Sequence, residues 1–348
     1  MLGIKRSIAQ FVFALPENWI HTLFGGVTVH NGEALNPQSQ LACNFARILP
    51  KLETLNPIKA RKLFADNIRV FDEEPISVSH IEDKLIPTTA SYFIPVRVYN
   101  AHPQKGNLPI VVYFHGGGLT IGSIETHDAL CRRIAYYAKV IVASVDYRLA
   151  PENPYPAAID DCFRAYQYIR NSAYLMGGSP NAIAVAGDSA GGLLATAICL
   201  RAKKEKVTLP VFQALLYPMT DVSKESGSYE EFGEKFILTK NTMRWFIQNF
   251  APNGNDRLNI FNSPLLTDTK DLKGMPPTYI ATAGFDPLRD EGEAYATSLA
   301  SAGVKVQHRH FSGLLHGYLQ MTGLIPAAKL AENDFHSAIV SFFETRKF

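Results

Sequence analysis

The sequence predicts an α/β protein in which a mostly parallel, doubly wound sheet carries a helical cap. The first observation is that, after residue 107, short apolar runs typical of buried strands alternate with helical patterns. The second is that a helical stretch precedes the strands and that a second long stretch, which contains a helical pattern, interrupts the alternation. They divide the chain into an N-terminal helical cap segment (1–75), a first part of the core (76–221), a second cap segment (222–277) and a last part of the core (278–348).

The core and cap elements follow from hydrophobic periodicity and from the turn residues between them. Strands are predicted at 76–86, 92–100, 111–114, 140–145, 182–186, 211–217, 278–283 and 305–311. Helices are predicted at 37–49, 57–65, 129–138, 157–170, 190–202, 239–250, 291–302 and 328–345. Since ligands bind at the carboxyl ends of the strands in open α/β sheets, we expect the two cap segments to cover that edge.

The N-terminal residues place two basic side chains ahead of an apolar run, which superficially resembles a signal peptide. The run ends at Pro16 without a small-residue cleavage site, and it is too short to cross a membrane. Its apolar residues recur at helical spacing, namely Ile4, Ile8, Phe11, Val12 and Leu15. We therefore expect an amphipathic helix whose apolar face covers the rest of the protein, with a membrane-surface anchor as the alternative.

Composition excludes several classes of function. The 34 basic and 32 acidic side chains nearly balance, and no cluster of Lys and Arg is dense enough to indicate nucleic-acid binding. The four cysteines, Cys43, Cys131, Cys162 and Cys199, are far apart and lie in apolar contexts, which predicts reduced, buried thiols rather than a metal site or a disulfide framework. We expect a cytoplasmic protein without stable membrane insertion, and the sequence leaves a homodimer open.

The stretch from 181 to 195 is the most informative in the chain. Residues 182–186 form an apolar run typical of a buried strand, and a helical pattern begins at Ala190. Between them lies Gly187-Asp-Ser189-Ala-Gly191, whose glycines let a strand and a helix meet at a very sharp turn. Such a turn would lift the Ser189 hydroxyl clear of the sheet, beside the positive end of the following helix. Ser189 is therefore the candidate nucleophile.

A second glycine turn lies at the end of another predicted strand. Residues 111–114 lead directly into His115, Gly116, Gly117 and Gly118, whose amides can converge on a single oxygen. Within this turn, His115 is expected to be a packing residue.

A serine nucleophile needs a base and a group that orients the base. His308 and His310 fall inside a predicted strand and are expected to be framework residues. His316, in contrast, lies in a loop just after the last strand, at the edge where Ser189 is expected. Asp286 follows the strand at 278–283 and is the best-placed acid, while Asp290 lies where the next helix begins and is expected to cap it.

Five motifs in order make the chain resemble the hormone-sensitive lipase family of carboxylesterases. They are HGGG at 115–118, DYRLAPE at 146–152, GDSAGG at 187–192, DPLRDEG at 286–292 and HGY at 316–318. The resemblance implies an α/β-hydrolase fold, an N-terminal helical cap, and no metal or organic cofactor. It implies a catalytic triad of Ser189, Asp286 and His316, in the order typical of this fold. It also implies an oxyanion hole built from Gly116, Gly117, Gly118 and Ala190.

The expected activity is hydrolysis of carboxylic esters of short to medium acyl chain, with a small-molecule ester as the only partner required. An amidase or deacetylase would use the same triad and stays open on sequence alone. A non-catalytic receptor on this fold is disfavoured because all three triad residues are present. Two further expectations concern charges near the motifs: Asp188 would support neighbouring loops through hydrogen bonds, and Asp146 would pair with Arg148.

Overall fold

The central sheet of the computed structural model has eight strands in the order β10-β9-β8-β7-β5-β6-β4-β3, and a separate hairpin pairs β1 with β2. The structure describes residues 2–88 and 92–346, so residues 1, 89–91, 347 and 348 of the predicted segments lie outside it. The strands are β1 Val29–His30, β2 Glu33–Ala34, β3 His80–Pro87, β4 Phe93–Asn100, β5 Leu108–Phe114, β6 Ile141–Val145, β7 Gly178–Asp188, β8 Phe212–Leu216, β9 Thr278–Phe285 and β10 Val306–Leu315. Strands β5 to β10 pair in parallel, whereas β4 is antiparallel to both β3 and β6.

Helices cover both faces of the sheet, so alternate residues of a strand enter different cores. In β5, for example, Ile110 and Val112 pack on one side while Val111 and Tyr113 pack on the other. The helices are α1 Leu2–Phe13, α2 Glu17–Phe24, α3 Pro37–Ile48, α4 Pro57–Phe71, α5 Ile124–Tyr137, α6 Ala157–Asn171, α7 Ala190–Lys204, α8 Gly227–Phe232, α9 Lys240–Phe250, α10 Gly254–Arg257, α11 Thr269–Leu272, α12 Arg289–Ser301 and α13 Pro326–Glu344. This arrangement confirms the predicted fold class.

Each predicted core strand and helix is present, with ends that differ by a few residues. The sequence analysis did not identify α2, the β1–β2 hairpin or the short helices α8, α10 and α11. These elements are too short to produce a periodic hydrophobic signal. The better-defined cap helices begin at clear sequence signals: Asn36 and Asn56 accept hydrogen bonds from the first amides of α3 and α4, and a proline follows each.

The N-terminal helix packs differently from the expectation. Ala9 and Phe13 are its buried residues, whereas Ile4, Ile8 and Phe11 are exposed. The prediction that the apolar stripe covers the rest of the protein is therefore wrong for Ile4, Ile8 and Phe11, whereas Val12 and Leu15 are partly buried against the core. Helix α1 is held against α4 by a different face, on which Arg6 also reaches the backbone carbonyl of Asp72 at 2.7 Å. Among the described residues, no helix is both long and apolar enough to cross a membrane.

A buried ionic cluster fixes the end of the N-terminal cap to the core. The Arg133 guanidinium of α5 donates to Glu332 of α13 at 2.6 Å and to Asp72, at the end of α4, at 2.9 Å. The Thr322 hydroxyl also donates to Asp72 at 3.0 Å. All four residues are buried. The cap helix, a core helix and the C-terminal helix therefore share one set of charges that water does not reach.

Replacing Arg133 with methionine is expected to destabilise the fold by about 3–5 kcal/mol, because two buried carboxylates lose their cation. The matched control is Arg309→Met, since Arg309 pairs with Asp334 at 3.2 Å but is half exposed. We expect this control to lose less than about 1 kcal/mol. Urea unfolding of both variants measures the difference, and equal stabilities would contradict the assignment of the buried cluster as a major anchor.

Candidate active site

The nucleophile lies at the junction of β7 and α7. Ser189 has φ 55° and ψ −119°, a strained conformation for a residue with a side chain, and it is 9% exposed. The turn closes only because position 191 lacks a side chain, since a Cβ on Gly191 would lie 1.9 Å from the carbonyl oxygen of Phe114. The tight packing of β5 against this turn therefore holds the Ser189 hydroxyl in one place.

The structure brings the three predicted triad residues together. The Ser189 hydroxyl lies 2.9 Å from Nε2 of His316, and Nδ1 of His316 lies 2.8 Å from Oδ2 of Asp286. Since an ionised carboxylate only accepts, Nδ1 carries the proton and Nε2 is free to accept from the serine. The backbone amide of Leu288 donates to the other oxygen of Asp286 at 2.8 Å, and the ring of Tyr217 packs edge-on against His316. The base is therefore oriented from two sides.

Three backbone amides near Ser189 are available to an oxyanion. The amides of Gly117, Gly118 and Ala190 have no hydrogen-bond acceptor among the residues that the structure describes. Ala190 is the first residue of α7, so the positive end of that helix faces the same point. The prediction that Gly116 belongs to this set is wrong. Its amide already donates to Oδ1 of Asp188 at 2.9 Å.

The glycine turn is also in close contact with the second cap segment. A Cβ on Gly118 would lie 2.1 Å from the ring of Phe246 in α9. The absence of a side chain at this position lets the cap helix close directly over the amides of the turn. The turn is thereby shielded from water on its outer side.

Asp188 organises the buried side of the site. Besides the Gly116 amide, it accepts from the Tyr113 hydroxyl at 2.7 Å and from the Gln320 side chain at 3.0 Å, and Nε2 of His127 lies 3.2 Å from it. Burial would raise the pKa of Asp188, but the charge of His127 and these hydrogen bonds outweigh it and lower the pKa well below its usual range. Asp188 thus joins the nucleophile turn to the glycine turn, as expected of a loop support.

His127 and Gln320 were not singled out by the sequence analysis. Both are buried, and the Gln320 amide also lies 2.8 Å from Nε2 of His127. No local motif marks them, because they meet Asp188 only in the folded chain. The other histidine of this region, His115, stacks on Tyr147 with ring centres 4.3 Å apart. Burial lowers the pKa of His115 to about 3, so it is a neutral packing residue at neutral pH.

Two predicted roles for charged residues need correction. Arg148 pairs with Asp161 of α6 at 2.8 Å rather than with Asp146, because its guanidinium stacks on Tyr92 and is directed towards that helix. Asp146 instead accepts from the amide of Ile124 at 3.3 Å.

Asp290 is not the cap of its helix. The N-cap position belongs to Leu288, and Asp290 is the second residue of α12. Its carboxylate accepts from the Ser228 amide at 2.8 Å and pairs with Arg289 at 2.8 Å. It therefore ties the second cap segment to the start of α12, next to the loop that carries Asp286.

A cavity of about 670 Å³ opens onto Ser189 and His316. Both cap segments line it, and they meet where the Thr242 hydroxyl donates to Glu53 at 2.9 Å. The large apolar side chains that line it are Leu49, Leu52, Leu63, Phe64, Ile68, Phe71, Ile121, Phe236, Ile237, Leu238, Phe246 and Met321. Within residues 2–88 and 92–346, no group of three His, Cys, Asp or Glu side chains is arranged to hold a metal ion.

A family model described as alpha/beta hydrolase fold matches residues 111–320, the span that carries the glycine turn, the nucleophile and the base. The chain belongs to the hormone-sensitive lipase family of esterases. It is 38% identical over 326 residues to the carboxylic ester hydrolase LipN of Mycobacterium tuberculosis, covering 90% of this chain and 85% of LipN. It is 34% identical over 285 residues to the ethyl acetate hydrolase of Pseudomonas putida, covering 81% of this chain and 89% of that protein.

Solved structures show the same likeness. The ester-hydrolase EH1AB1 from the metagenome of Lake Arreo superposes with a TM-score of 0.85 at 37% identity, covering 89% of this chain and 99% of that one. That structure contains a derivative of bipyridine phosphonate. The fold and family predicted from five sequence motifs are therefore confirmed.

Proposed function

We propose that this family member is a serine carboxylesterase that cleaves esters of short to medium acyl chain through an acyl-enzyme. The observation that carries the proposal is the continuous contact from the Ser189 hydroxyl through His316 to Asp286, with free amides beside the serine. The names of the relatives, carboxylic ester hydrolase and ethyl acetate hydrolase, support ester cleavage over amide cleavage.

The chemistry follows from the positions of these groups. As the Ser189 oxygen attacks the ester carbonyl, His316 takes its proton at Nε2, and Asp286 stabilises the imidazolium that forms. The negative oxygen of the tetrahedral intermediate accepts from the amides of Gly117, Gly118 and Ala190. Each such donor contributes about a hundred- to a thousandfold to kcat in serine hydrolases. The protonated His316 then protonates the leaving alcohol.

The second half of the reaction repeats these roles with water as the nucleophile. His316 takes a proton from water, which attacks the acyl group on Ser189, and the acid is released as the serine oxygen regains a proton. Every step uses side chains and amides of the chain itself. The buried position of Ser189 under both cap segments supports a reaction protected from bulk water.

The size and the apolar lining of the cavity support a preference for short to medium acyl chains. A cavity of about 670 Å³ holds a ligand of moderate size, and its walls are mainly apolar. Each buried CH₂ adds about 0.8 kcal/mol of favourable transfer, so affinity rises with chain length until the cavity is full. A chain longer than the cavity leaves its end in water or displaces the cap helices.

We expect kcat/KM to rise from p-nitrophenyl acetate to the butyrate or hexanoate and to fall by more than about tenfold for the palmitate, because the acyl chain then exceeds the cavity. Steady-state kinetics with this ester series at one pH measures the dependence. p-Nitroacetanilide is the control for amide cleavage, and we expect much slower turnover of it than of the acetate ester. Palmitate cleaved fastest would contradict the acyl preference, and faster anilide cleavage would favour an amidase.

We also place the enzyme in the cytoplasm. Cys43, Cys131, Cys162 and Cys199 are all free and buried, which supports a reducing compartment. Fractionation of the native host, with a specific antibody to detect the protein, tests this placement. Recovery of the protein in the extracytoplasmic or secreted fraction would contradict it.

A further inference from the structure

The first two helices each expose a row of apolar side chains that no other described part of the chain covers. The residues are Ile4, Ile8 and Phe11 of α1 and Trp19 and Leu23 of α2, and we name these two rows together the N-terminal apolar face. Their exposed fractions range from 57% to 73%. The spacing of i, i+4 and i+7 in α1 and of i and i+4 in α2 puts each group on one side of its helix. Single exposed apolar residues are ordinary, but this concentration within twenty residues is not.

The charge of the segment that carries this face is unbalanced. Among the described residues of 2–71, the basic side chains without an ion pair are Lys5, Arg47, Lys51, Lys59, Lys62 and Arg69. The acidic side chains of the same region without an ion pair are Glu17, Glu53 and Asp66. Six cations without an ion pair against three such acids leave a positive surplus among the unpaired charges of residues 2–71. An anionic surface complements this surplus.

The combination of residue types fits a lipid bilayer. Trp and Phe are favoured at the boundary between lipid headgroups and acyl chains, and Ile and Leu gain by entering the acyl region. Basic side chains of the same segment are attracted to anionic headgroups, which are abundant on the cytoplasmic leaflet. Because no described helix is able to span a membrane, such contact would be peripheral.

One of the two helices that carry the apolar face packs against a helix that lines the cavity. Helix α2 packs against α3, and Ala42, Ala46 and Arg47 of α3 line the cavity. Ile48, at the end of α3, is 78% exposed beside the cavity residues Leu49 and Pro50. Contact with a bilayer on this side would bring the cavity near esters dissolved in the lipid.

We propose that the N-terminal apolar face binds the surface of an anionic lipid bilayer, with Phe11 and Trp19 as its anchors and the unpaired cations of the cap as its electrostatic component. Membrane binding itself does not depend on the proposed esterase function. The access of lipid-dissolved esters to Ser189 does rest on that function. Binding and turnover are therefore measured separately.

The experiment is flotation of the full chain with vesicles of phosphatidylcholine and phosphatidylglycerol, and with vesicles of phosphatidylcholine alone. We expect the wild type to float with the anionic vesicles and to bind them less at high salt. The variant Ile8→Gln/Phe11→Gln/Trp19→Gln is expected to lose binding by more than about tenfold, because three apolar side chains no longer enter the lipid. Glutamine keeps the helical propensity of these positions.

The matched control is Tyr174→Gln/Leu175→Gln. These two side chains are as exposed, at 70% and 66%, but lie in the short turn between α6 and β7. This control is expected to float like the wild type. Both variants should cleave dissolved p-nitrophenyl acetate and unfold at the wild-type temperature, which shows that the fold is intact.

A second measurement covers the case in which the triple variant does not fold. The chain has two tryptophans, so a Trp245→Phe variant leaves Trp19 as the only one. We expect its fluorescence to shift to shorter wavelength on addition of anionic vesicles. Absence of flotation by the wild type, or equal flotation of the triple variant, would overturn the proposal. A wild-type dimer in light scattering that becomes a monomer in the triple variant, without vesicle binding, would assign the face to a second copy instead.

Discussion

Replacing Ser189 with alanine is expected to reduce ester turnover by about a million-fold, the loss seen when the nucleophile of a comparable triad is removed. The hydroxyl is the only group that forms the covalent bond to the acyl carbon, and no other described serine contacts His316. The substitution removes one oxygen and keeps the Cβ, so the turn between β7 and α7 retains its packing. The residual rate would come from the free amides and from substrate binding.

The measurements are kcat and KM for p-nitrophenyl butyrate, together with thermal unfolding. A matched control is Ser172→Ala, which removes another serine hydroxyl, one that donates to the Tyr168 carbonyl far from the site. We expect wild-type turnover in the control and near-wild-type melting temperatures in both variants. A fluorophosphonate probe should label the wild type and the control but not the Ser189 variant. A folded Ser189→Ala protein with substantial turnover would remove this serine from its role.

The parts of the site that the sequence predicts are those encoded by short, local patterns. The turn at Ser189 needs glycines at 187 and 191 for steric reasons. These glycines lie within two residues of the serine, so the sequence alone shows the pattern. Asp286 and His316 each follow directly on a strand, so their placement at the carboxyl edge is a consequence of the parallel sheet. Local sequence and sheet topology together are enough to place the triad.

The parts that the sequence does not predict depend on contacts between distant segments. Asp188 meets Gln320, which lies 132 residues further along the chain, and the pair has no spacing or composition that marks it. Arg148 has Asp146 and Glu152 nearby in sequence, but in the fold Tyr92 stacks on its guanidinium and its own amide also donates to Asp161, so it pairs with Asp161. Gly116 looks equivalent to its neighbours in sequence, yet its amide is used by Asp188. Such choices are made by tertiary packing.

The orientation of α1 illustrates a second limit. Its apolar residues recur at helical spacing on more than one side of the helix. The periodicity alone therefore does not show which side faces the core. The small residue Ala9 and the aromatic Phe13 pack inwards because the space above α4 accommodates them, which leaves Ile4 and Phe11 exposed. A helix that is apolar on several faces needs its partner helix before its buried face is known.

Substitution of the two acids of the DPLRD segment by asparagine is expected to affect different properties: Asp286→Asn affects turnover, and Asp290→Asn affects stability. Asp286 accepts from Nδ1 of His316, whereas Asp290 accepts from the Ser228 amide and pairs with Arg289. In Asp286→Asn the side-chain amide is able to donate to Nδ1, which favours the tautomer with the proton on Nε2. That nitrogen then cannot accept from Ser189, and the imidazolium loses its counter-charge. The equivalent change in a protease with this triad lowers kcat about ten-thousand-fold, and we expect a loss of that order.

Asp290→Asn is the matched control, since it makes the same chemical change four residues away in the same segment. The asparagine oxygen still accepts from the Ser228 amide, and only the partly exposed pair with Arg289 is lost. We therefore expect a loss of stability below about 1 kcal/mol and nearly unchanged turnover. Steady-state kinetics and urea unfolding of both variants separate an effect on the chemistry from an effect on the fold. An inactive Asp290→Asn enzyme beside a nearly wild-type Asp286→Asn enzyme would reverse the assignment of the triad acid.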